Sequence, residues 1–122
     1  PCGEALDQMA VRAIGHRDIL IPIKTREGYV NLSGIETQCS KALEQHPQME
    51  LIEDLFEKLS RSILEMTMQL SYQYDITNFI YAGGVSCSQY MYKDLNIVFG
   101  KPEMSADNAI GVALLGGQNI WR

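Results

Sequence analysis

Apolar residues recur every three or four positions along most of the chain, which is the pattern of amphipathic helices. The predicted helices are residues 3–14, 33–46, 47–74, 88–95 and 105–120. Ser33 and Glu36 have the spacing of a capping box at the start of the second helix. The third helix is the longest and its apolar stripe predicts the spine of the core, along Leu51, Leu55, Leu59, Ile63, Met66 and Leu70. Two ion pairs are predicted on its outer face, Asp54–Lys58 and Glu57–Arg61.

Four runs of β-prone residues separate these helices. Residues 18–23 and 29–32 flank a polar turn that ends at Gly28, which predicts a hairpin whose first strand is an edge strand because it contains Pro22. Residues 79–82 and 96–99 flank the predicted fourth helix. A strand–helix–strand order implies a right-handed crossover and a parallel pair. We therefore expect one α/β domain over residues 1–122, with a small mixed sheet and packed helices.

The strand that begins at Phe79 stops at Gly83 and Gly84, and a polar segment with helical spacing follows. Glycine adopts positive φ and has no Cβ, so another group can approach the backbone N–H groups of such a turn closely. That group is often a nucleotide. The same two glycines also serve as a plain strand-to-helix turn, and the pattern is compatible with both interpretations.

Composition narrows the function classes. The chain has 122 residues, 46% of them hydrophobic, with a net charge of −5 and a pI near 4.9. This balance argues against a free-standing nucleic-acid-binding domain. Cys2, Cys39 and Cys87 form no disulfide or zinc motif, which favours a reducing, cytoplasmic location. No apolar run approaches the roughly 20 residues of a membrane span, and no targeting signal is predicted.

Several acidic residues are candidate ligands. Glu4 and Asp7 lie three residues apart on one predicted helix, where they could hold a ribose or a metal, or could complement the helix dipole. Asp107 begins the last predicted helix after a strand and loop, where open α/β sheets place ligands, and it has the same alternative role. His16 fits a surface or helix-capping position better than a ligand position.

Four segments together resemble one known family in order and spacing. They are Gly-Glu-Ala-Leu-Asp-Gln-Met-Ala at 3–10, Asn-Leu-Ser-Gly-Ile-Glu-Thr at 31–37, Ala-Gly-Gly-Val-Ser at 82–86, and Ser-Ala-Asp-Asn-Ala at 105–109. The family is the tRNA threonylcarbamoyladenosine transferases, formerly called glycoproteases or O-sialoglycoprotein endopeptidases. The resemblance spans nearly the whole chain and corresponds to the middle and C-terminal part of a family member.

The resemblance implies the C-terminal RNase H-like lobe of an actin-like ATPase fold, the fold of actin, Hsp70 and sugar kinases. It implies that Gly83 and Gly84 lie against an adenosine, and that Asp7 contacts a threonylcarbamoyl-adenylate or another adenine nucleotide. Ser88 stands where the family has an asparagine and would keep one hydrogen bond. Asp107 matches an acidic ligand of the family's iron or zinc. The family transfers the threonylcarbamoyl group to N6 of an adenosine beside the tRNA anticodon.

The chain also departs from the family. No His-x-x-x-His motif is present to complete the metal site, and the Pro-Gly-Gly loop expected after the first helix is missing. We therefore expect the nucleotide-binding lobe of a transferase-like protein that is inactive by itself. Its expected partners are an N-terminal lobe, protein subunits of a tRNA-modification complex, and tRNA through a composite surface.

Three other functions fit parts of the pattern. A catalytically degenerate paralogue would act as a binding or assembly subunit and would need no metal. A sugar or acyl-phosphate kinase of the same fold class would use the glycine turn for ATP with magnesium. A protease has little support, because no Ser-His-Asp or Cys-His arrangement is visible in the sequence.

Overall fold

A computed structural model describes residues 2–15, 17–92 and 98–99, which form a mixed α/β structure that is mostly helical. The helices are α1 (Cys2–Arg12), α2 (Ile35–Ala42), α3 (Gln48–Tyr74) and α4 (Gln89–Tyr92), with a 3-10 helix at Gly84–Cys87. The strands are β1 (Lys24–Arg26), β2 (Tyr29–Asn31), β3 (Ile80–Tyr81) and β4 (Val98–Phe99). His16, Asp107 and the predicted helix 105–120 lie outside the described residues. No helix in the described part of the chain combines the length and apolar character needed to cross a bilayer.

Helix α3 is the longest element, as its apolar period predicts, and it ends at Tyr74 with Asp75 in a left-handed conformation. The predicted core stripe is only partly right: Leu51 is buried, but the other five residues are half-buried, and Ile52 and Phe56 are the α3 residues of the core cluster. The first half of α3 packs against α1 and α4 in a core of Ala10, Ile52, Phe56 and Tyr90, with Leu6 and Met9 at its margin. The Phe56 and Tyr90 rings meet edge to face, with centroids 5.9 Å apart. The apolar spacing of residues 3–14 predicts that Ile14 lies on the buried stripe of the first helix, which is wrong: Ile14 is 98% exposed because the helix has ended at Arg12.

The prediction for the outer face of α3 is half right. Arg61 Nε lies 2.6 Å from Glu57 Oε1 at the surface, as predicted. Asp54 is instead completely buried, and its Oδ2 accepts hydrogen bonds from the backbone N–H groups of Ile19 (3.1 Å) and Leu20 (2.6 Å). Lys58 Nζ lies 3.6 Å from Asp54 Oδ1 and also pairs with Asp18. Asp54 is buried because the segment at 18–20 lies against α3 and has backbone donors to satisfy.

The first hairpin is confirmed, but its first strand is displaced. β1 pairs with β2 antiparallel, with Thr25 opposite Val30. Glu27 and Gly28 both have positive φ and form a two-residue turn of the kind that matches strand twist. The polar residues predicted as the turn therefore form β1, whereas 18–23 has no regular strand. Gly28 N donates to Gln69 Oε1 (3.0 Å), which fixes the turn on α3.

The second strand pair is parallel, as the strand–helix–strand order predicts, with Ile80 opposite Val98 and Tyr81 opposite Phe99. The continuous apolar run at 79–82 predicts a buried strand, which is wrong for Ile80, because Ile80 is 81% exposed. Tyr81 points the other way and hydrogen-bonds Thr67 of α3 through its hydroxyl. In the described part of the chain the four strands make two separate two-stranded sheets and not one mixed sheet.

The predicted capping box of α2 is not formed. The helix begins one residue later than the box requires, and its N-cap is Gly34 in a left-handed conformation with φ of 86°. The Ser33 backbone N–H and hydroxyl both donate to Asn31 Oδ1, at 2.9 and 2.8 Å. The Ser33 side chain therefore turns back toward the end of β2 and leaves the helix start uncapped by a side chain.

Candidate functional site

The segment that follows β3 makes a tight turn before α4. Gly83 has φ of 110°, a conformation that favours glycine, whereas Gly84 does not have positive φ and starts the 3-10 helix. Gly83 O accepts hydrogen bonds from Ser86 N (3.0 Å) and Ser86 Oγ (2.7 Å), which close the turn. A Cβ built on either glycine would meet no atom of the described residues within 4 Å. Within the described part of the chain, no atom crowds the outer side of the turn.

Asp7 lies beside the end of this turn. Its carboxylate is buried, with 7% of the residue exposed, and accepts three hydrogen bonds. Ser88 Oγ donates to Oδ1 (2.5 Å), Gln89 N to Oδ2 (2.8 Å) and Tyr90 N to Oδ1 (3.2 Å). These contacts join the first helix to a segment 81 to 83 residues further along the chain.

The same contacts cap helix α4. Ser88 occupies the N-cap position, and its Oγ accepts a hydrogen bond from Met91 N (3.2 Å) while donating to Asp7. Asp7 supplies the acceptors for the next two backbone N–H groups, which have no partner within the helix. The sequence offered Asp7 as a ligand or as a partner of its own helix dipole, yet in the structure it caps a different helix. Glu4 is exposed and does not join it.

Of the four predicted nucleotide residues, the structure brings Asp7 into contact with Ser88, and the two glycines lie a few residues before Ser88 in the chain. The predicted metal ligand Asp107 lies outside the described residues. Within the described ranges, no three His, Cys, Asp or Glu side chains converge into a group that could hold a metal. The described residues therefore do not by themselves form a metal site.

The Cys39 thiol lies on α2. Burial raises its pKa above the ordinary value of 9.0, and the negative charge of Asp54 raises it further. A thiol with a raised pKa stays protonated at neutral pH, and the protonated form is a poor nucleophile. The surroundings of Cys39 therefore favour its neutral thiol. It is not in a disulfide.

A groove of about 820 Å³ lies beside the first hairpin, away from Asp7, Ser88 and the glycine turn. It is lined by β1, β2, the segment 21–23, Glu65 and Gln69. The signal for it was present in the sequence, because Ile21, Pro22 and Ile23 are apolar residues next to a polar hairpin. None of the four predicted nucleotide residues lines this groove.

Comparison of the chain with known protein families and with functionally curated proteins finds no match. The four motifs and the geometry around Asp7 are therefore the observations from which a function is proposed.

Proposed function

We propose that the chain is the nucleotide-binding lobe of a cytoplasmic protein like the tRNA threonylcarbamoyladenosine transferases, with the fold of an actin-like ATPase lobe. The observation that supports this proposal is the hydrogen bond between Asp7 and Ser88. The resemblance assigns Asp7, Gly83, Gly84 and Ser88 to one site, although 81 residues separate Asp7 from Ser88. A contact between these two residues is what a shared site requires.

In this proposal the residues have different tasks. The outer side of Gly83 and Gly84 takes the adenosine, because no side chain among the described residues blocks the backbone there. Asp7 acts through the protein: it fixes the Ser88 hydroxyl and the N–H groups of Gln89 and Tyr90, and so sets the path of the segment that carries the glycines. An iron or zinc, which Asp107 would help to hold, would polarise the carbamoyl group. Its other ligands would come from an N-terminal lobe.

A catalytically degenerate paralogue is the second candidate. The observation that favours it is that the Asp7 carboxylate already accepts three hydrogen bonds from its own chain. Ser88 is likewise used twice, as donor to Asp7 and as acceptor from Met91. Side chains engaged in this way stabilise a fold without reacting. Such a protein would serve as an assembly subunit for other proteins of a tRNA-modification complex, with tRNA bound across a composite surface.

The experiment that tests nucleotide binding is a calorimetric titration of the full-length protein with ATP, ADP and AMP, in the wild type and in Gly84→Val. We expect the wild type to bind at least one of them. Gly84→Val should weaken that binding at least about tenfold, because the new side chain fills the space over the turn. The variant should still fold, since its Cβ meets no described atom within 4 Å.

The matched control is Ser40→Val, which adds the same side chain at an exposed position of α2. It should bind the nucleotide as the wild type does. If Gly84→Val also binds with wild-type affinity, the nucleotide lies elsewhere and the proposed site is wrong. If the wild type binds none of the three nucleotides, nucleotide binding is ruled out and the assembly subunit is the function that fits.

A further inference from the structure

The second half of α3 exposes large apolar side chains in a row. Leu64, Met68 and Tyr72 are spaced four residues apart, so they lie on one face of the helix, and they are 41%, 63% and 94% exposed. None of them belongs to the core that α3 forms with α1 and α4. Three large apolar residues in line on a helix surface are typical of a face that another molecule covers.

Two charged residues bracket this row at equal distances. Arg61 lies seven residues before Met68 on the helix, and a spacing of seven keeps these two on the same face of helices that cross at a shallow angle. Asp75, seven residues after Met68, is the left-handed residue that follows the last residue of α3, and it places a negative charge at that end of the row. Both charged residues are exposed. We call the five residues Arg61, Leu64, Met68, Tyr72 and Asp75 the α3 stripe. It has a positive end, an apolar centre and a negative end.

We infer that the α3 stripe binds a second copy of this chain, with the two α3 helices antiparallel and Met68 at the two-fold axis. In this arrangement Arg61 of one copy faces Asp75 of the other, and Leu64 faces Tyr72. Two-fold symmetry makes each of these contacts twice, so one stripe supplies both halves of the interface. From Arg61 to the end of α3 at Tyr74 the helix runs 13 steps, or about 20 Å. A parallel arrangement would instead place like charges together.

The existing partner of Arg61 does not prevent this contact. Arg61 uses Nε for Glu57, at 2.6 Å, and its guanidinium group carries further N–H donors for a second carboxylate. The outer edge of strand β1 is a second surface to compare, and it is less suited to self-association. The outer edge of β1 carries Lys24 and Arg26, and antiparallel pairing of two copies there would bring positive charges together.

The association is separate from the proposed nucleotide site, because the α3 stripe contains none of Asp7, Gly83, Gly84 or Ser88. Nucleotide titration of the stripe variants therefore reports whether they are intact. The two proposals fail in different ways: a loss of nucleotide binding does not change the oligomeric state, and a monomeric protein can still bind a nucleotide.

The test is sedimentation equilibrium of the full-length protein over a series of concentrations. We expect a monomer–dimer equilibrium in the wild type. Met68→Lys should raise the dimer dissociation constant at least about tenfold, because it places two positive charges at the axis. Arg61→Glu should raise it about tenfold, since the new carboxylate would face Asp75 of the second copy. The combined Arg61→Glu and Asp75→Lys variant should restore most of the affinity, because the pair is reversed and not lost.

Lys41→Glu is the matched control, since it reverses an exposed positive charge on α2, outside the stripe. It should leave the dissociation constant unchanged. Circular dichroism melting shows that each variant is folded. A wild type that is monomeric at every concentration overturns the inference. This holds even where the stripe is then found to bind lipid vesicles or a different protein. A combined variant as weak as Arg61→Glu alone overturns the assigned pairing.

Discussion

Asp7 and Asp54 are both buried acidic residues on helices, and both accept hydrogen bonds from backbone N–H groups far along the chain. Asp7 serves Gln89 and Tyr90, and Asp54 serves Ile19 and Leu20. Gln89 and Tyr90 stand at the start of α4, and Ile19 and Leu20 lie in a segment without regular secondary structure. A buried backbone N–H without an acceptor costs free energy, and a carboxylate can accept from two at once. At this scale the two acids perform the same structural task, which is to accept hydrogen bonds from backbone N–H groups.

The raised pKa of Cys39 predicts how the free energy of unfolding depends on pH. Its pKa is raised in the folded protein, first by burial and then by Asp54, so the fold favours the neutral thiol. This stabilisation is complete below the unfolded pKa of about 9 and is lost as the pH rises through the higher folded pKa. We therefore expect the free energy of unfolding to fall more steeply between about pH 8 and about pH 10.5 in the wild type than in Cys39→Ser.

Denaturant titrations of both proteins at the two pH values measure this difference. Cys87→Ser, which keeps Cys39, is the matched control and should behave as the wild type does. Iodoacetamide should also alkylate Cys39 slowly at neutral pH, because little thiolate is present there. Equal slopes in the wild type and in Cys39→Ser would show that the folded environment does not favour the neutral thiol.

At the scale of elements, α3 offers two ion pairs with the same spacing and different surroundings. Lys58 is buried beside Asp54, while Arg61 and Glu57 meet at the surface. Lys58→Met leaves the Asp54 carboxylate buried without its cation and should lower the free energy of unfolding by about 3 kcal/mol. Arg61→Met is the matched control and should change it much less, because water solvates the remaining carboxylate.

Thermal and denaturant unfolding of the two variants give the comparison. Removing the Lys58 cation should also loosen the segment at 18–20, because the Asp54 carboxylate accepts hydrogen bonds from its N–H groups. Amide exchange of Ile19 and Leu20 should therefore be faster in Lys58→Met. Similar losses in both variants would mean that the buried pair is solvated as freely as the exposed one.

The sequence predicted the positions of helices and strands better than it predicted the contacts that their residues make. The apolar period of α3 located the helix and its end, because that signal is local. The hairpin was predicted too, but β1 was misplaced: its three residues Lys24, Thr25 and Arg26 are polar, and they form a strand because Thr25 and the turn hydrogen-bond to α3 through Glu65 and Gln69. Alternation of apolar and polar residues carries no information about such contacts.

For the site, the sequence likewise predicted the local turn and not the long-range contacts. Gly83 and Gly84 are visible in sequence as the end of a strand, and one of them does need positive φ. The pairing of Asp7 with Ser88 could be approached through the resemblance alone, because no local pattern links residues 81 positions apart. The burial of Asp54 had no signal, since an acid four residues before a lysine on a helix is usually exposed.

At the scale of the whole molecule, α3 is contacted along two stretches. Ile52 and Phe56, in its first half, contact α1 and α4, and the Asp7 cap closes that group. Gln69, in its second half, holds the hairpin at Gly28. The two groups contact α3 at positions that lie 13 or more residues apart. A change in the cap should therefore affect the first group more than the second.

Asp7→Asn tests this division. Its amide keeps the shape of the carboxylate but exchanges one acceptor for a donor group, so at least one of Ser88 Oγ, Gln89 N and Tyr90 N loses its partner. We expect the free energy of unfolding to fall by about 2 kcal/mol. Amide exchange of Gln89 and Tyr90 should quicken by more than that global loss predicts, while Gly28, held by Gln69, should follow the global loss alone. Glu4→Gln is the matched control on the exposed side of α1 and should change neither. Uniform quickening at all three amides would show instead that the chain opens as one unit and that the cap has no local role.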